Sequence, residues 1–100
     1  MRVENMRSTK FNKIPNQFII TEEGRGALGN FIKRETFQSY TTTIVTITTW
    51  KDSVETELDK NKWDCSRTTG KYRNQFLGED KKTTERKIAS GEYKLVDLNK

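Results

Sequence analysis

The chain reads as an α+β domain: a small antiparallel β-sheet of four to five strands, with two short helices between the penultimate and last strands. Three observations lead there. Thr, Ile and Val fill nearly every position of Tyr40–Trp50, and side chains branched at Cβ suit a pleated surface while penalising a helix. From Lys60 the pattern changes to capped segments with apolar residues four apart, and after Gly91 alternation returns. At 100 residues the chain is one domain with one modest core.

In chain order, Met1 to Asn12 is polar, and residues 1–14 read as a flexible basic arm carrying Arg2, Arg7 and Lys10, with the folded domain spanning 15–100. Asn16–Thr21, short and β-branched, is the first strand. A glycine-bearing loop follows over Glu22–Asn30. Phe31–Tyr40 then alternates loosely, with Phe31 and Phe37 on one face and Ile32 and Tyr40 on the other. Tyr40–Trp50 is the strongest strand, and its threonines, isosteric with valine but polar, allow it to be half exposed. Lys51-Asp52-Ser53 is a turn, and Val54–Asp59 a short return strand with Val54, Thr56 and Leu58 on one side.

Ser66 or Thr68 can cap the first helix by accepting a bond from a free amide of its first turn. Tyr72 and Phe76 stack at i, i+4, and Gly78 stands where a left-handed terminal residue belongs. The second helix opens at Asp80 or Thr83 and closes at Gly91, with Thr84 and Ile88 four apart and Arg86 and Lys87 towards its negative end. Tyr93 and Leu95 alternate with Lys94 and Val96 in a last strand.

The electrostatic imbalance is confined to residues 60–87. That segment holds nine Lys/Arg against four Asp/Glu, an excess of five that equals the net charge of +5 of the whole chain. Trp63, Tyr72 and Phe76 are interleaved with the cations. On the first helix Arg67, Lys71 and Asn74 share a side, with Arg73 nearby; on the second, Lys82 and Arg86 pair at i, i+4, flanked by Lys81 and Lys87. Such a face meets a phosphate backbone or an acidic protein groove. The plainer reading is a solvated helix surface, partly neutralised by Glu79, Asp80 and Glu85. Trp63 reads as core rather than a stacking platform, whereas Trp50 fits either role.

Catalytic signatures are weak. Gly24-Arg25-Gly26-Ala27-Leu28-Gly29 matches G-x-G-x-x-G, but a dinucleotide site needs a helix next, and the following twenty residues are β-rich. A hairpin loop explains the glycines. Cys65 resembles a phosphatase nucleophile only until position 71, where Lys71 replaces the required Arg, and the chain contains no His to activate a thiol or hydroxyl. A small buried hydrophobe is the expected role for Cys65. One Cys and no His cannot build a zinc site. The expectation is therefore no enzyme, no cofactor and no metal. A lone cysteine fits a reducing cytoplasm, and no segment approaches the roughly 18 apolar residues of a membrane span.

Read as a block, Phe37-Gln38-Ser39-Tyr40, Leu58-Asp59, Lys62-Trp63-Asp64, the run from Ser66-Arg67-Thr68-Thr69-Gly70 through Lys71-Tyr72-Arg73-Asn74-Gln75-Phe76-Leu77-Gly78-Glu79, and Lys87–Asn99 resemble a family of small proteins encoded by tailed bacteriophages. The resemblance covers the last two thirds of the chain. Family members usually carry Tyr where this chain has Cys65, and the Gly24–Gly29 loop is longer than the corresponding turn. The resemblance implies a phage accessory protein acting in a bacterial cytoplasm, and it transfers no functional residues.

Three functions compete. The leading one is a non-enzymatic module that binds a host or defence macromolecule, such as an anti-defence inhibitor. Inhibitors that mimic nucleic acid are typically acidic, so a basic chain favours a partner with an acidic groove or bound nucleic acid. The second is direct DNA or RNA binding through Arg67, Lys71, Arg73, Lys81, Lys82, Arg86 and Lys87. The third is self-assembly, with the Thr-rich strand pairing edge to edge with a copy of itself.

Overall fold

The computed structural model describes residues 1–24 and 32–99. Six strands and two helices follow in the order β1 (Arg2–Arg7), β2 (Lys13–Glu23), β3 (Lys33–Ser39), β4 (Thr42–Thr49), β5 (Val54–Asp59), α1 (Arg67–Leu77), α2 (Lys81–Ser90) and β6 (Tyr93–Val96). The chain is α+β, with both helices between the last two strands as expected. Among the described residues the sheet has six strands, in the spatial order β1-β2-β3-β4-β5-β6.

Two features correct the sequence reading. Residues 2–7 are not a frayed arm: Arg2–Arg7 pairs antiparallel with β2, and Met6 is buried at 2% exposure. Their polar composition is that of an edge strand with one outer margin in water, where ladder bonds to β2 rather than propensity decide the conformation. Nor is the sheet antiparallel throughout. β1 to β5 form an antiparallel meander, but β6 runs parallel to β5, with Thr56 opposite Tyr93 and Leu58 opposite Leu95. A parallel neighbour needs a long crossover, and the two helices supply it.

Cross-strand register places Ile19, Phe37, Val45 and Leu58 in one row, because each pairs with the next. The helices cover that row. The core comprises Met6, Ile14, Phe37, Ile44, Val45, Leu58 and Tyr93, and Trp63, Tyr72, Phe76, Leu77 and Ile88 pack against it. Phe76 of α1 stacks on Phe37 of β3 with ring centroids 5.8 Å apart. Thr56 and Leu58 point into this core, whereas Val54 at the strand's start is exposed. Trp63 is against the core, as expected. The glycine-rich motif lies outside the described residues from Arg25 onward, as does Phe31.

The structure also corrects the proposed route to self-assembly. β4 is internal, paired with β3 on one side and β5 on the other, so its ladder bonds are already used. The β3–β4 register shifts between Phe37 and Gln38, which lets Ile44 turn inward at a bulge. Past the end of β5, Asn99 completes β4: its side-chain amide donates to the Thr43 carbonyl and its oxygen accepts from the Thr43 N–H, both at 2.8 Å. No helix among the described residues is long and apolar enough to cross a membrane.

Candidate functional site

Both helices begin as their sequences dictate. Ser66, extended at φ −157°, accepts the Thr69 N–H on its side chain, and Asp80 does the same for Thr83. Gly78 and Gly91 close the helices in the left-handed region at φ 70° and 84°. These caps fix where the basic side chains point.

An open groove of about 650 Å³ lies at the start of α1. Arg67, Gly70, Lys71, Arg73 and Asn74 of α1 line it, with Asp64 and Ser66 from the preceding turn and Lys81 from α2. Five of the eight residues read as binding residues are thus brought together: Arg67, Lys71, Arg73, Asn74 and Lys81. Four cations meet one carboxylate there, an excess of three positive charges. Lys82 and Arg86 are exposed on α2 outside the lining, and Lys87, also outside it, is paired with Glu79.

Arg73 is not a surface cation. It is 1% exposed, and one guanidinium nitrogen donates to the Trp63 carbonyl at 2.8 Å and to Asp64 Oδ1 at 3.1 Å. The other donates to Asn74 Oδ1 at 2.9 Å. Its Nε is buried without a hydrogen-bond partner among the described residues. Asn74 is thereby engaged as the acceptor that holds the guanidinium.

Asp64 is the hinge of the groove. Its second oxygen receives Lys81 Nζ at 2.7 Å, so one carboxylate ties α2 to the turn before α1. The Lys81 hydrogen bond, helped by that of Arg73 and opposed by partial burial, holds the Asp64 carboxyl below the usual carboxylate range. The same bond raises Lys81.

Lys87 is likewise withdrawn from the expected patch. Its ammonium donates to Glu79 Oε1 at 2.9 Å and lies 5.2 Å from the Tyr93 ring centroid. Glu79, with a side chain only 9% exposed, also accepts from Thr84 at 2.7 Å and from the Tyr93 hydroxyl at 2.8 Å. Burial works to raise the Glu79 carboxyl, but the bonds from Lys87, Thr84 and Tyr93 together outweigh it and hold the group low. This cluster pins α2 to β6.

Cys65 corrects another expectation: it is exposed, not a buried hydrophobe, and its thiol lies 3.6 Å from Thr69 Oγ1. The turn before the cap carries it outward while Thr69 takes the inward position. Among the described residues no cluster of three or more His, Cys, Asp or Glu side chains is placed to hold a metal ion. Four cations around one paired carboxylate give the groove a positive excess that attracts negative charge.

The sequence reading missed Asp64, Ser66 and Gly70 as lining residues. It named Ser66 as a cap, and a cap places its residue at a helix mouth. The inward turn of Arg73 had a signal as well. Thr69, Tyr72, Arg73, Phe76 and Leu77 recur at the i, i+3, i+4 spacing of a buried stripe, which puts Arg73 on the core side.

The chain belongs to a family of unknown function, DUF8033, which matches residues 1–92. That span includes both helices and therefore the whole groove lining. No curated protein matches the chain. No solved structure matches it either.

Proposed function

Starting from membership of a family with no assigned activity, we propose that this chain is a non-catalytic binding module whose groove engages an anionic surface on a macromolecular partner. The observation that supports it is the convergence of Arg67, Lys71, Lys81 and the buried Arg73 on one groove holding a single, already paired carboxylate. The resemblance to bacteriophage proteins makes a host or defence macromolecule in the bacterial cytoplasm the expected partner. An acidic protein surface fits better than a nucleic-acid duplex. With Arg73 buried and Lys87 paired to Glu79, the charge is concentrated at the groove rather than spread along a track that would follow a phosphate backbone.

The test is capture from nuclease-treated bacterial lysate with the wild-type chain and an Arg67→Glu/Lys71→Glu variant. A protein retained by the former and lost by the latter supports the reading. Shift of a labelled duplex at low salt, abolished steeply by added salt and with no nuclease-resistant protein captured, would replace it with direct nucleic-acid binding. Both substituted side chains are exposed, so the variant should fold, and circular dichroism checks that it does.

A further inference from the structure

We propose that the groove is a binding site for a phosphate monoester, held between Arg67 and Lys71 of α1 and Lys81 of α2. This rests on the function proposed above and names the chemical group recognised there.

The placement of charge runs against helix stability. A helix N-terminus carries partial positive charge and favours acidic side chains. Arg67 is the first residue of α1, Lys81 and Lys82 open α2, and neither first turn contains an acid. Asp80 at least caps α2 with a carboxylate, but α1 is capped by the neutral Ser66. Arg67 at the positive end of α1 lines the groove, and the one carboxylate in that lining, Asp64, is already held by Arg73 and Lys81. An anion in the groove would offset the charge that remains.

Arg73 is the independent observation. It lines the groove at 1% exposure, is fixed by three hydrogen bonds, and keeps its Nε without a partner. A guanidinium anchored in this way is a stationary positive charge at the groove wall, set beforehand rather than ordered by the ligand. Asp64 does not repel an anion as a bare carboxylate would, because Arg73 and Lys81 each hold one of its oxygens. The groove, at about 650 Å³, has room for a phosphate and the group it is esterified to.

A monoester fits better than a diester. It is dianionic at neutral pH, with a second pKa of about 6, and a doubly charged group gains more from cations gathered at one point. A diester carries one charge, and its natural polymers spread theirs along a line.

The experiment is a titration of the isotope-labelled full chain with inorganic phosphate at constant ionic strength, followed by NMR. The expected result is saturable movement of the backbone amides of residues 66–71 and 81. Affinity should fall at least about fivefold between about pH 7.5 and about pH 5.5, as the dianion is lost. Arg67→Gln/Lys71→Gln should weaken binding about tenfold or more, the loss expected from one or two charge-assisted hydrogen bonds. Dimethyl phosphate, a diester, should bind at least about tenfold more weakly than phosphate. O-phosphoserine and a nucleoside 5′-monophosphate then distinguish the carrier, as the one exceeding inorganic phosphate.

Shifts that rise without saturating, persist in the double variant, or are matched by dimethyl phosphate would overturn the proposal. If phosphate fails while partner capture is still lost on reversing Arg67 and Lys71, only this inference is lost. If phosphate binds and no partner is captured, it is the macromolecular reading that fails.

Discussion

The guanidinium of Arg73 lies 5.1 Å from the centroid of the Trp63 indole while donating a 2.8 Å hydrogen bond to the carbonyl of that same residue. One side chain thus reads both the ring and the backbone of Trp63, and through Asp64 it reaches α2 as well. The planar fork makes this arrangement, so Lys is not a conservative replacement. Arg73→Lys should lower stability by about 1–2 kcal/mol and Arg73→Met by about 2–4 kcal/mol; the loss stays below that of a fully buried pair because Asp64 is partly solvated. Urea denaturation of both variants checks the ordering, and unchanged midpoints would remove Arg73 from the structural account.

Met6 provides a direct test of the first strand. Its side chain is 2% exposed in the core, whereas Val3 on the same strand is 56% exposed. Met6→Ala should cost about 2–4 kcal/mol and Val3→Ala less than about 0.5 kcal/mol. Thermal melts of the two variants would distinguish a paired edge strand from a loose arm, for which neither substitution matters.

The Glu79 cluster predicts how stability follows pH. Glu79, Asp64 and Asp80 are all held below their ordinary values of 4.5, 3.8 and 3.8. Their contribution is therefore present above those values and lost as the pH falls through the lower folded ones. Lys87 and Tyr93 are raised above 10.5 and 10.0, so their contribution is complete below those values and disappears as the pH climbs past them. Stability should be flat from about pH 5 to about pH 9 and decline on both sides. Glu79→Gln should lower the plateau by about 1–2 kcal/mol and make both limbs shallower, measured as urea midpoints across pH. An acid limb identical to wild type would show that Glu79 is not titrating against its partners.

Two glycines should respond with opposite signs. A Cβ at Gly70 would meet both guanidinium nitrogens of Arg73 and Asp64 Oδ1 at 3.7 Å, which is ordinary contact, inside a helix where glycine is unfavourable. Gly70→Ala should stabilise by about 0.5–1 kcal/mol. Gly78 has open space around it but sits at φ 70°, so Gly78→Ala should destabilise by about 1 kcal/mol from backbone strain alone. Calorimetric midpoints moving in the same direction would contradict this.

What could be read in advance was local chemistry. Gly78 and Gly91 end the helices where expected, and of the two candidates offered for each start, Ser66 rather than Thr68 and Asp80 rather than Thr83 are the caps. The Cβ-branched run of β4 declared itself for the same reason. Strand β1 did not, because Arg2–Arg7 is stabilised by its neighbour rather than by its own residues. The direction of β6 also depended on a relationship beyond its four residues, namely the two helices that carry the chain back across the sheet. For the candidate site, composition counted the cations without saying which face inward. Arg73 and Lys87 contribute to net charge in any conformation, yet the fold buries the first and ties the half-buried second to Glu79.

The parallel seam between β5 and β6 has a kinetic consequence. Strands β1 to β5 zip together through successive hairpins between near neighbours in the chain, whereas β6 can dock only after α1 and α2 have wound and folded over. Bringing β6 to β5 closes a longer stretch of chain than any of the hairpins, and that entropy must be offset before the non-local contacts form. Assembly therefore finishes at this margin of the sheet, and amide exchange in Tyr93–Val96 should report the last step of folding and the first of unfolding.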